Sequence, residues 1–171
     1  MEAEIIAVGT ELLGVQRVDT NSLFITDQLN ALGVEVRRKS IVGDDRILLA
    51  AEVRAALANS EIVILSGGLG PTEDDVTREA VAEALGRPLV FRQDLLETLT
   101  ERFQRLNRKM ADNNRRQTYV VEGADPLPNP RGTAGDLFAE IRVVTPKTLA
   151  PAERDAWEAL RKISTFNPRE S

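Results

Sequence analysis

The chain has 171 residues, 42% of them hydrophobic, and a formal net charge of −5. That size suits one domain with a real core, or one domain and a fragment, and the acidity argues against a nucleic-acid-binding surface. Cysteine and histidine are both absent, which excludes disulfides, thiolate nucleophiles, zinc–thiolate sites and any Ser-His-Asp triad.

The first apolar run, Ala3 to Val8, reads as a buried strand that ends at Gly9. Thr20 to Leu32 reads as a helix with apolar positions Leu23, Phe24, Leu29 and Leu32, and Gly33 follows as its C-terminal stop. Val34 to Val42 alternates as a second strand, and Asp44 or Asp45 caps the helix that runs on to Ala58. Glu61 to Leu65 is the third strand. A helix from Asp74 or Asp75 to Leu85 stops at Gly86, and Asp94 to Leu106 carries Leu95, Leu96, Leu99, Phe103 and Leu106 on one side of another. After Gln117 the texture changes: residues 125–132 are Pro-rich, Leu137 to Val144 reads as a strand, and Pro151 to Ile163 as a helix with Pro in its first turn. No run of about 18 apolar residues marks a membrane span, and the acidic opening MEAEIIAVG is unlike a signal peptide. The absence of cysteine fits a reducing cytoplasm.

Strands alternating with helices predict an α/β fold, a mostly parallel sheet with helices on both faces. Ligands of such sheets bind at the carboxyl ends of the strands. Two stretches lie there, Gly9-Thr10-Glu11 and the loop SGGLGPTEDD from Ser66 to Asp75. In the loop, Gly67 and Gly68 permit close backbone approach, and the helix behind offers free N–H groups to an anion. Local chemistry leaves two roles open for Asp74 and Asp75: caps of that helix, or ligands of a cation bridging to phosphate. With no histidine or cysteine, a metal here takes oxygen ligands. The loop is neither a Walker motif nor G-x-G-x-x-G. The same two readings, cap or site, apply to Asp19 in DTNS and to Asp44 in VGDD. The run NNRRQ, Asn113 to Gln117, is either a solvated helix face or a guanidinium clamp for phosphate built on Arg115 and Arg116.

The ordered set GTELL, DTNS, VGDD, SGGLGPTEDDVTREAVAEALGRPL, NNRRQ and LPNPRGTA resembles the molybdopterin-binding-like domain of CinA-like (competence/damage-inducible) proteins, over residues 4–134 of a domain spanning 1–134. Against the loop G-G-T-G-x4-D-x-T of the wider MoaB/Mog-like superfamily, Gly67, Gly68, Gly70, Asp75 and Thr77 match and Leu69 replaces the threonine. The resemblance implies a three-layer α/β/α domain for a nucleotide-like or pterin-like phosphate ligand, no nucleic-acid or membrane partner, and self-association. It also implies metal-dependent ADP-ribose pyrophosphatase activity with Mg²⁺, Mn²⁺ or Co²⁺. In that reading Asp75, with Asp74, is catalytic and places the cation, and Asp19 and Asp44 complete the metal site or orient the ribose. Gly9, Thr10 and Glu11 then meet the nucleotide with Ser66, Gly67, Gly68 and Gly70. Thr72, Thr77, Asn114 and Arg115 join them. The full-length relatives often carry a second, amidase domain, for which this length leaves no room. Residues 135–171 depart from the family and resemble the strand and helix that end DnaJ-type co-chaperones, where they have no catalytic role. A domain without its pocket-closing loop leaves a non-catalytic binding module, or an inactive fusion, as the alternatives.

Overall fold

The computed structural model describes residues 1–15 and 17–127. Three strands form a parallel sheet: β1 (Glu2–Val8), β2 (Glu35–Val42) and β3 (Ile62–Ser66), in the order β2-β1-β3. Helix α1 (Thr20–Ala31) joins β1 to β2, and α2 (Arg46–Asn59) joins β2 to β3. The first crossover runs to one side of β1 and the second returns past it. With right-handed connections the two helices fall on opposite faces. Between β1 and β3 the direction of the connections reverses. That is the switch point at which open α/β sheets form a ligand crevice.

β1 is the most buried element, with Ile5, Ile6, Ala7 and Val8 all within 2% of complete burial. Alternation sends Ile6 and Val8 to one face. There they pack with Leu49, Ala50, Val53 and Ala56 of α2 and Ala80 of α3 (Thr77–Leu85). The expected caps hold in part. Asp45 accepts from the amides of Ile47 and Leu48 and starts α2, and Gly86 ends α3 in the left-handed conformation at φ +63°. β2 is an edge strand whose Arg37, Arg38 and Lys39 are exposed, a charge load that discourages another strand from pairing there.

Several expectations need correction. α1 buries Ser22 and half-buries Ile25, Thr26 and Leu29, a clean i, i+3, i+4, i+7 stripe. Leu23, Phe24 and Leu32 are 55%, 66% and 79% exposed instead of facing the core. α3 begins at Thr77 with Val76 as its cap residue, not at Asp74 or Asp75, because the Asp75 carboxylate is engaged further back in the loop. Two short strands were not foreseen, β4 (Leu89–Phe91) and β5 (Tyr119–Val121), paired antiparallel. The run Asn113 to Gln117 lies in a 3-10 segment, Asp112–Thr118, following α4 (Gln93–Arg105). The expected strand over Leu137 to Val144, the helix from Pro151 and the DnaJ-type resemblance lie outside the described residues.

Candidate functional site

Beside the switch point, small polar groups tie the end of β1 to the end of β2. The Gly9 amide donates to Val42 O at 2.9 Å. Thr10 and Asp44 then form a reciprocal latch: the Thr10 amide donates to Asp44 Oδ2 at 3.0 Å and the Asp44 amide donates to Thr10 Oγ1 at 3.0 Å. Glu11 folds back over Gly9, so that a Cβ added there would meet both carboxylate oxygens at 2.7 Å. Asp19 caps α1 through the Ser22 amide at 3.0 Å, and Asn21 Nδ2 reaches Ser66 Oγ at 3.4 Å. Asp19 and Asp44 therefore each brace a turn.

The glycine loop lies against β1. Gly67 has φ +101°, and an added Cβ would stand 2.0 Å from Val8 O. Gly68 has φ +63° and packs against Thr77 Oγ1. Only glycine satisfies either position. Thr77 then fixes the orientation of two peptide planes. Its hydroxyl donates to Gly67 O at 2.8 Å and its amide to Gly68 O at 3.2 Å. In a trans peptide the N–H points opposite the C=O. The amides of Gly68 and Leu69 consequently turn away from α3, and they find no acceptor among the described residues. Thr77, expected as a ligand contact, is buried behind the loop and orients it.

Asp75 occupies the side of Gly70 where a Cβ would stand, 2.5 Å from its Oδ2. Its Oδ1 accepts from the Gly70 amide at 2.8 Å, and its Oδ2 accepts from the Thr72 amide at 2.8 Å and from the Thr72 hydroxyl. Burial pushes this carboxyl's pKa up, but the hydrogen bonds from the Thr72 hydroxyl and amide and the Gly70 amide, with the Arg78 charge nearby, outweigh it and hold the pKa below the ordinary value. Asp74 is exposed at the outer turn.

Arg78, outside the expected set, and Arg116 of the expected clamp complete the loop. Arg78, 8% exposed, donates from Nη1 to Leu69 O at 2.6 Å and from Nη2 to Gly70 O at 2.8 Å. Burial lowers its pKa, partly offset by the charges of Glu79 and Asp75. Arg116 donates from Nη1 to Thr72 O and from Nη2 to Glu79 Oε1 at 2.9 Å. Of the guanidinium pair it is Arg116, not the chosen Arg115, that reaches the loop. Arg115 stacks over the Phe91 ring at 6.0 Å, and Asn114 closes its own turn on the Ala111 amide at 3.2 Å. The sequence did hold a signal for Arg78: a cation in the first turn of a helix opposes the helix dipole, so it needs another reason to be there.

Among the described residues no group of three carboxylates converges as a metal site. Asp19, Asp44 and Asp75 sit in three different turns, and each accepts from backbone amides there. They do not fit a shared divalent cation.

A parallel sheet with a strand–glycine loop–helix unit at its switch point defines an open α/β domain. The family model "Probable molybdopterin binding domain" matches residues 4–156, and the chain belongs to that family. The CinA-like protein of Solibacter usitatus (strain Ellin6076) is 58% identical over 140 residues, covering 82% of this chain and 34% of that protein. The CinA-like protein of Koribacter versatilis (strain Ellin345) is 53% identical over the same shares. The chain thus spans about a third of the length of the curated relatives it matches. Among solved structures, the protein CinA of Thermoplasma acidophilum superimposes with a TM-score of 0.72 at 31% identity, covering 94% of this chain and 96% of that one. The expected α/β fold and CinA-like kinship therefore stand. No helix among the described residues is long and apolar enough to cross a membrane.

Proposed function

We propose that this chain binds a phosphate-bearing nucleotide or pterin compound in the crevice between the ends of β1 and β3. The observation that carries the reading is the pair of unspent amides, Gly68 and Leu69, on a loop whose neighbouring polar groups are fixed by Thr77, Asp75, Arg78 and Arg116. An anion that accepts both amides meets donors already in place, so little ordering cost opposes binding. Thr10, Glu11, Asn21 and Ser66 stand at the adjoining strand ends as partners for the sugar or ring. Calorimetric titration with AMP and ADP-ribose tests this. Saturable binding of either is expected, and no heat from both removes the reading.

Metal-dependent hydrolysis of ADP-ribose is the finer reading that the CinA-like resemblance supports. Among the described residues no three carboxylates converge on a cation site, so no hydrolytic step is assigned to them. Phosphorus NMR of ADP-ribose with Mg²⁺, Mn²⁺ or Co²⁺ decides between turnover and binding alone: growth of the AMP signal means turnover, and an unchanged spectrum with ligand bound means a binding module. The outward apolar side chains of α1 and its C-terminal cap, Leu23, Phe24 and Leu32, support self-association, which light scattering measures. The cysteine-free composition supports a cytoplasmic setting.

A further inference from the structure

A glycine loop that takes a phosphate should not carry a carboxylate, yet Asp75 closes on Gly70 within this one. The compensating charge lies on the other side of the same residue. The Gly70 amide donates to Asp75 Oδ1 at 2.8 Å, and the Gly70 carbonyl accepts from Arg78 Nη2 at 2.8 Å. Arg78 Nη1 takes the preceding carbonyl, of Leu69, at 2.6 Å. One turn away, Arg116 pairs with Glu79 at 2.9 Å and holds Thr72 O. Asp75 and Glu79 are thus matched by Arg78 and Arg116, while Glu73 and Asp74 stand exposed on the outer turn. Arg78 is 8% exposed and sits in the first turn of α3, where both burial and the helix dipole oppose a cation. Helix stability does not explain it. Its Nε is buried with no partner among the described residues, so its hydrogen bonds do not fully satisfy the guanidinium either.

We propose that Arg78 is the built-in counter-charge of the loop: it positions the Leu69 and Gly70 peptides and offsets Asp75, so that a phosphate binds the Gly68 and Leu69 amides without a divalent cation. The inference rests on the reading of this loop as a phosphate site. Arg78 is a positioning residue, since it touches the loop carbonyls and not the ligand. It supplies from within the chain the charge that a cation bridging carboxylate and phosphate would otherwise bring.

The test is calorimetry on the full chain with AMP, ADP-ribose and adenosine, in EDTA and in Mn²⁺ or Mg²⁺. Wild-type Kd for AMP should agree within about twofold between the two buffers. Arg78→Met should weaken AMP at least tenfold in EDTA and recover part of that in Mn²⁺. Arg78→Lys, which keeps the charge and loses the fork, should fall between. Adenosine, with no phosphate, should respond to neither substitution, which separates a charge effect from general damage. A cooperative thermal transition checks that each variant is folded. Wild-type binding that vanishes in EDTA overturns the proposal, and this measurement needs no variant. So does a folded Arg78→Met chain that binds AMP in EDTA as tightly as wild type. If the wild type binds none of the compounds in either buffer, the phosphate-site reading itself has failed, and the proposal with it.

Discussion

Replacing Gly67 with alanine probes the contact on which the loop's placement depends. At φ +101° an L-residue is strained by about 1–3 kcal/mol. A new Cβ would also stand 2.0 Å from Val8 O and 3.1 Å from Val8 C, both backbone atoms of a buried strand that cannot swing aside. Forced overpacking of this kind adds about 1–3 kcal/mol, so the total is about 2–6 kcal/mol, reaching at its upper end the whole stability of a modest domain. Gly86→Ala is the control. That glycine has φ +63° with nothing within 4 Å of an added Cβ, so only the strain applies, at about 1 kcal/mol. Urea unfolding of both variants, compared at equal slope, isolates the backbone crossing. If Gly67→Ala costs no more than Gly86→Ala, the loop does not lie on Val8 and the account of the crevice is wrong.

The other predictions concern the groups that hold the loop. Thr77→Val keeps the shape and removes the hydroxyl bond to Gly67 O; it should cost about 1 kcal/mol in unfolding and weaken AMP in titration. Asp75→Asn should lose about 1–2 kcal/mol near neutral pH through its three hydrogen bonds. The Asp75 pKa is depressed in the folded chain, so its contribution is full above the ordinary value of 3.8 and is lost as pH falls below that toward the folded value. Acid unfolding curves should therefore be flatter in that window for Asp75→Asn than for wild type. Arg116→Ala should raise amide hydrogen exchange across residues 66–76, whereas Arg115→Ala, which loses only a ring contact on Phe91, should leave that segment unchanged.

What was legible in the sequence was local. Gly33 and Gly86 mark helix ends and Asp45 marks a helix start because each acts within three residues of itself. The α1 stripe is hidden in the sequence because leucine and phenylalanine outweigh Ser22 and Thr26 in an apolar count, while geometry places the smaller residues inward. Asp74 and Asp75 look like caps by position, and nothing local shows that the Asp75 carboxylate turns back five residues to Gly70. β4 and β5 are three residues each, too short for alternation to register, and are made by pairing residues distant in sequence, Leu89↔Val121 and Phe91↔Tyr119. Arg116 reaches Thr72 over a separation of 44 residues. The glycines of the site were legible because backbone conformation leaves a compositional trace. The cations behind them were not, because long side chains choose partners only once the fold exists.

The seating of the loop has a kinetic corollary for the proposed site. Gly67, Gly68 and Gly70 are already held by hydrogen bonds within the chain, so capture of a phosphate compound there should need little rearrangement. The speed of capture is then set by the approach. A chain of net charge −5 repels a phosphate compound at long range, and salt shortens the reach of that repulsion. Stopped-flow association should accelerate as ionic strength rises from low values. That is opposite to the behaviour of most proteins that capture anions with an open, basic surface.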